Sequence, residues 1–284
     1  MTKLPDKETR PLGLAVAFAN QKGGVGKTTV CGGMAEALVR KGYRVLVIDL
    51  DPQGNMSFVM DADMAAPGTD TLLAKGFLKT ASDPMAWVQH PAYVDLIAAG
   101  PMGDGASALE EREFEINTDR AGGAYRLADA LAPFRAEYDF IMLDTPPNMG
   151  SMTVNALACA DYVMVVCDRD SMSANALARF MADIEEYRAH MNRNLKVGGV
   201  VFNKYKRSGK VSSDFVSSVT EVMGEAGVPV IPTPIRETDV VQRAHDEAVG
   251  MAEIVARRRA ARIDLDFDVA TDEFLANCGI GGER

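Results

Sequence analysis

The amino-acid sequence predicts an α/β fold: a doubly wound, mostly parallel sheet with helices on both faces. Three observations carry that prediction. Short runs that are apolar at every position recur along the chain, amphipathic segments separate them, and a glycine-rich stretch joins the first run to the first helical pattern. Strands covered by helices on both faces read as unbroken apolar runs, because neither face meets water. Strand–helix alternation over most of a chain places ligands at the C-terminal ends of the strands.

The elements follow in order. Residues 13–19 form the first run, and the glycine-rich stretch 20–29 leads into Val30, Met34, Ala37 and Leu38 at helical spacing. Residues 45–48 form the second run. The stretch 52–135 is less regular and predicts short helices with one strand near 94–98. Strands are predicted again at 140–143, 162–167 and 197–202. The clearest helix spans about 173–191, where Leu177, Phe180, Met181, Ile184, Tyr187 and Met191 line one face. Residues 1–262 are expected as a single domain. Residues 263–284 are acidic with a glycine-rich end and are expected as a C-terminal appendage.

A chain of 284 residues buries roughly three quarters of its unfolded surface on folding and needs no covalent staples. At 47% hydrophobic and 25% charged residues, disorder as the main state is excluded. Forty acidic against thirty basic side chains give a net charge of −10. That excludes a nucleic-acid coat over the whole surface, so any DNA binding requires a local basic patch. Cys31, Cys159, Cys167 and Cys278 stand far apart, which suggests neither a disulfide framework nor a zinc site and fits a reducing cytoplasm. The polar start with its two prolines is not a secretory signal. No apolar stretch approaches the roughly 18 residues of a membrane span, so a cytoplasmic protein is expected.

The glycine-rich stretch reads Asn20-Gln21-Lys22-Gly23-Gly24-Val25-Gly26-Lys27-Thr28-Thr29. Glycines let successive backbone N–H groups converge on phosphate oxygens while the new helix aims its positive end at them. Gly23, Gly24, Val25, Gly26, Lys27, Thr28 and Thr29 are therefore the expected phosphate-binding set, a P-loop. Lys27 can reach the β- and γ-phosphates, and the Thr28 hydroxyl can ligate Mg²⁺. The strict pattern fails at Gln21, where its first glycine would fall, and an additional lysine, Lys22, stands inside the loop. Lys27 already serves a single nucleotide, so Lys22 either reaches a nucleotide in a facing subunit, as an arginine finger does, or is a solvated loop lysine. Asp49 and Asp51 end the second strand and point the same way on an extended chain, and Asp144 closes a later strand. A carboxylate, lysines and a metal suffice for ATP hydrolysis by positioning and charge stabilisation. The alternative for Asp49 is that it only caps a turn.

Lys22–Thr29, Ile48–Asn55 (IDLDPQGN) and Leu143–Pro147 (LDTPP), followed by Asn155-Ala156-Leu157, resemble the ParA/Soj partition ATPases. These belong to the deviant Walker A class, together with MinD and the nitrogenase iron protein. The resemblance covers about residues 12–260. It implies that Lys22 contacts the partner's nucleotide in an ATP-sandwich homodimer. It also implies that Asp51 orients the attacking water, that Asp144 holds Mg²⁺ and that Asp49 lies in the metal's outer shell. Hydrolysis would be slow until a partner completes the site. Asn203 and the 231–234 segment, with Pro232 and Pro234, occupy the positions that hold adenine in similar proteins. An asparagine at a strand end is also a common turn former.

Residues 204–210 carry four cations, and the stretch 195–262 holds eleven basic against eight acidic residues. That local sign reversal is what a patch reading the DNA backbone needs. By resemblance to Soj-like proteins, Lys206, Arg207, Lys210 and Arg236 are the expected sites for nonspecific double-stranded DNA; otherwise they form a solvated face. The C-terminal residues lack the basic amphipathic helix of a MinD-like membrane anchor, and the cysteines lack the motifs of an iron–sulfur protein. Only about a dozen residues precede the first strand, so specific operator binding is not expected. The resemblance thus implies a cytoplasmic, nucleoid-associated ATPase that segregates plasmid or chromosome cargo through a ParB-like adaptor. The alternatives are an ATPase that positions a protein assembly, and a nucleotide-dependent protein-binding switch without DNA affinity.

Overall fold

The computed structural model describes residues 11–77, 83–91, 93–103, 106–119, 122–168, 174–206, 210–247, 249–258 and 262–280. The strands are β1 (Leu14–Ala19), β2 (Val45–Asp49), β3 (Asp95–Ile97), β4 (Phe140–Asp144), β5 (Tyr162–Asp168) and β6 (Lys196–Asn203). Among the described residues the helices are α1 (Lys27–Arg40), α2 (Asn55–Val59), α3 (Thr69–Leu72), α4 (Ala108–Thr118), α5 (Arg126–Ala130) and α6 (Ala132–Glu137). They continue with α7 (Ser151–Cys159), α8 (Ala174–His190), α9 (Lys210–Glu225), α10 (Asp239–Asp246), α11 (Met251–Arg258) and α12 (Ile263–Asn277). Each expected strand is present, most of them ending on a polar residue one position later than the apolar run suggests.

The sheet runs β3-β2-β4-β1-β5-β6 with every neighbouring pair parallel. Side chains alternate between its faces. Ala15, Ala17, Leu46, Ile48, Ile141, Leu143, Val163 and Val165 enter one core, while Val16, Phe18, Val47, Phe140, Met142, Met164 and Val166 enter the other. The connection from β1 passes β4 to reach β2, and the connection from β4 passes β1 to reach β5. The winding direction therefore reverses at β1 and β4, which opens a crevice at their C-terminal ends. Into that crevice project the loop after β1 and the strand-end residues Asp49 and Asp144, paired in register.

The expectation of a C-terminal appendage is corrected here. Helix α12 packs along α1, with Ile263, Phe267, Ala270, Phe274 and Leu275 buried in the second core. The Phe267 ring occupies the space where Gly33 of α1 has no side chain. Burying each phenylalanine contributes roughly 1.5–3 kcal/mol, so this helix is part of the fold. Its apolar residues recur at helical spacing, while its carboxylates reach outward to Arg40, Lys41, Arg236 and Arg262. The acidic average hid the buried face. Among the described residues, no helix is long and apolar enough to cross a membrane.

Candidate functional site

The loop between β1 and α1 is held by three side chains, Asn20, Asn203 and Lys204. Asn20, 1% exposed, donates from Nδ2 to the Val166 carbonyl at 2.5 Å and accepts the Lys22 N–H at 2.9 Å. Gly24 and Gly26 adopt φ of +77° and +88°, backbone that side-chain-bearing residues rarely tolerate. A Cβ at Gly26 would collide with the Asn203 amide. At the far side, Asn203 Nδ2 donates to the Val25 carbonyl at 2.9 Å and Lys204 Nζ to the Gly24 carbonyl at 2.6 Å. Val25 is buried, Thr28 and Thr29 are half-buried at the start of α1, and Lys22, Gly23 and Gly24 are exposed.

Lys27 is only 6% exposed. Burial lowers its pKa, while the charges of Asp144 and then Asp51 act in the opposite sense. Asp144 is fully buried, and neither of its carboxylate oxygens has a hydrogen-bond partner of ordinary geometry among the described residues. Burial raises its pKa well above the usual carboxylate range, Asp49 adds to that, and the Thr28 hydroxyl offsets part of it. A carboxylate buried without donors is costly unless something cationic completes it. The orphaned oxygens, with Thr28 beside them and a glycine loop above, fit a divalent cation that also binds phosphate oxygens.

Asp49 and Asp51, equivalent by spacing, are placed differently. Asp49 is fully buried and engaged by protein donors: Oδ1 accepts the Asp51 N–H at 3.1 Å, and Oδ2 accepts the Ser57 N–H at 2.9 Å and its hydroxyl at 2.7 Å. Burial pushes the Asp49 carboxyl up to about 6, and these hydrogen bonds oppose the rise. Asp51, 7% exposed, accepts the Gln53 N–H at Oδ1 and stands near enough to Lys27 to influence it. Asp49 thus holds the turn that carries Asp51, and it also stands in register beside Asp144 on the neighbouring strand. Asp51, Lys27, Thr28 and Asp144 lie near one another at the end of the glycine loop.

The adenine candidates lie together. The 231–235 segment runs beside β6, with the Ile231 N–H donating to Val200 and the Ile235 N–H to Phe202. Pro232 is exposed and Pro234 half-buried next to the strand end that carries Asn203. The expected DNA-contacting residues are less free. The Arg236 guanidinium closes on Asp266 through Nε at 2.6 Å and Nη2 at 2.9 Å, and also donates to the Arg262 carbonyl. That pairing holds the guanidinium against α12. Lys206 pairs with Glu237 at 3.1 Å. Arg207 lies outside the described residues, and of Lys210 only the backbone, at the start of α9, is described.

Sequence reasoning missed Asn20, Ser57 and Lys204. Lys204 carries a signal visible only in the backbone, a φ of +54°, uncommon for a residue with a side chain. Ser57 offered no signal, since its partners Asp49 and Ala99 lie eight and forty-two residues away.

The match to an AAA-domain family model spans residues 14–197. The chain is 34% identical over 230 residues to the chromosome partitioning protein ParA of Caulobacter vibrioides, covering 79% of this chain and 82% of that protein. Cobyrinic acid a,c-diamide synthase from Mycobacterium smegmatis, solved with bound ADP and magnesium, superposes with a TM-score of 0.70 at 28% identity. That match covers 84% of this chain and 93% of the synthase. An ATP complex of McdA from Cyanothece shares the fold, with a TM-score of 0.76 at 20% identity over 96% of this chain and 99% of McdA.

Proposed function

The chain belongs to the ParA/Soj family of P-loop ATPases, and from that premise we propose that it is an ATP-dependent dimerising switch that segregates or positions cargo. ATP or ADP and Mg²⁺ are the cofactors of the phosphate site. The observation that carries the proposal is the buried carboxylate of Asp144, without a hydrogen-bond partner of ordinary geometry among the described residues, beside Thr28 and Lys27 at the mouth of the glycine loop. Bound Mg²⁺ would supply positive charge against the phosphate oxygens. Lys27 and the N–H groups of Gly23–Thr29 orient the phosphates, and Asp144 and Thr28 would hold the cation. Asp51 positions the attacking water. Lys22 extends from the exposed loop toward a facing copy, where it completes the partner's site.

In this reading ATP closes the homodimer, the dimer binds DNA without sequence preference, and hydrolysis, stimulated by a ParB-like adaptor, releases it. Pairing two weak sites in a dimer makes DNA binding depend on ATP. A second reading, nucleotide-dependent positioning of a protein assembly or a protein-binding switch with no DNA affinity, is favoured by the carboxylates that already hold Lys206 and Arg236. The discriminating experiment uses the Asp51→Ala chain with ATP or ADP, measuring mass by light scattering and binding to a random-sequence duplex across a salt series. The first reading expects an ATP-only dimer whose DNA affinity falls steeply with salt. An ATP-dependent dimer indifferent to DNA selects the second. A monomer in both nucleotides, or a Lys22→Ala chain that still dimerises, overturns the cross-subunit role of Lys22.

A further inference from the structure

Ser57 is fully buried on the short helix α2, and its hydroxyl is spent in two directions. It donates to Asp49 Oδ2 at 2.7 Å and accepts the Ala99 N–H, just beyond β3, at 2.8 Å. The Ser57 N–H also donates to Oδ2, while Asp49 Oδ1 receives the Asp51 N–H. The turn that follows is tied down further: the Gly54 N–H donates to the Asp51 carbonyl, and the Leu50 N–H to the Asp144 carbonyl. One hydroxyl thus links the end of β3 to the carboxylate that holds the backbone of Asp51.

We propose that Ser57 is a positioning residue for ATP hydrolysis: acting through Asp49, it fixes the turn that presents Asp51 to the phosphate site and ties that turn to the end of β3. This rests on the ATPase reading above. Asp51 is the group expected to place the attacking water, and a displacement of about 1 Å at such a group costs on the order of a hundredfold in rate. Nucleotide affinity, set by the glycine loop and Lys27, does not pass through Ser57. The same network assigns Asp49 to the Asp51 turn.

The test compares the full-length wild type with Ser57→Ala, Ser57→Thr and Ser57→Cys. It reads turnover per folded molecule, affinity for fluorescent ADP, thermal midpoint, and hydrogen exchange at the Asp51 and Ala99 amides without nucleotide. Ser57→Ala is expected to lose about tenfold to a hundredfold in kcat, to keep ADP affinity within about twofold, and to lose amide protection at Asp51. Ser57→Thr, which keeps the hydroxyl, is expected to restore most of the kcat and the protection. If Ser57→Ala fails to fold, Ser57→Cys, with its weaker donor, is expected to show a kcat below wild type with ADP affinity within about twofold. Ser57→Ala or Ser57→Cys with wild-type kcat and a lowered midpoint would overturn the proposal, because the hydroxyl would then be merely structural. A wild type that binds ADP but never turns over ATP, even with Mg²⁺, would overturn the ATPase reading and this proposal with it.

Discussion

Two charged regions of the molecule are built on opposite terms. At the ends of β2 and β4, charge is buried and left incomplete: among the described residues Asp144 has no hydrogen-bond partner of ordinary geometry, and Lys27 is only 6% exposed, with Asp144 and Asp51 nearby. Around α12, charge lies near the surface and is completed: Arg236 with Asp266, Arg40 with Asp268, Lys41 with Asp272 and Arg262 with Asp264. Incomplete buried charge costs stability and survives where a ligand completes it. Paired surface charge costs little and contributes little. The contrast supports the proposed binding site in the first region, and it gives the described ion pairs of the second a role in holding the fold.

The sharpest break of that contrast comes from Lys27. Lys27→Ala should lower affinity for ADP by at least about a hundredfold, because the phosphates then lose the buried ammonium while Asp51 still faces them. Asp51→Ala should leave affinity near wild type while cutting turnover by about a hundredfold. Titration calorimetry and phosphate release measure the two separately. If Asp51→Ala lost affinity and turnover together, Asp51 would belong to binding, and its distinction from Lys27 would disappear.

Asp144→Asn sharpens the comparison in the nucleotide-free state. Removing an uncompensated buried charge should raise the thermal midpoint without ligand, by about 1 kcal/mol of stability, and abolish the additional stabilisation that Mg²⁺ brings to bound ADP. A lowered midpoint would mean that Lys27 already completes Asp144, and the site would then resemble the region around α12.

Much of this was legible in the sequence, for a physical reason. Strands buried on both faces leave continuous apolar runs, and the glycine loop needs its residue types at fixed spacing, so β1, β2, β4, β5 and β6 and the loop between β1 and α1 could be read directly. What could not be read depends on contacts distant in sequence. Asn203 was expected at adenine, yet its amide also braces the Val25 carbonyl across 178 residues. Asp266 neutralises Arg236 across thirty residues, so composition counted a cation that the fold had already used. Helix α12 was obscured because its carboxylates dominate an average, while its buried face shows only at helical spacing.

Acidity gives a smaller, signed effect. The Asp49 carboxyl rises from 3.8 to about 6 in the folded chain, chiefly through burial. The native state therefore binds this proton more tightly than the unfolded state, so stability falls as pH rises from 3.8 through about 6 and levels off above. Asp49→Asn removes the titration. The nucleotide-free wild type should lose stability relative to Asp49→Asn across that window and hold a constant difference beyond it, as denaturant midpoints at stepped pH would record. A constant difference throughout would mean that the Ser57 and Asp51 donors fully offset the burial.

The smallest expected effect tests the completed region. If Arg236 is a fold contact, Arg236→Ala should cost about 1 kcal/mol, the scale of a bidentate, partly exposed pair, and Asp266→Ala about the same. The double variant should cost less than the two single losses combined, because each single change already breaks the pair. DNA affinity, where the chain has any, should change by less than about twofold in Arg236→Ala, and its salt slope should stay the same, since no phosphate contact is lost. The opposite pattern, unchanged stability with a salt slope shallower by about one, would place Arg236 on DNA. It would also mean that Asp266 releases the arginine when DNA arrives. The region around α12 would then be a second site whose charge is completed from within until its ligand displaces the carboxylate, and completed pairing would no longer distinguish scaffold from site.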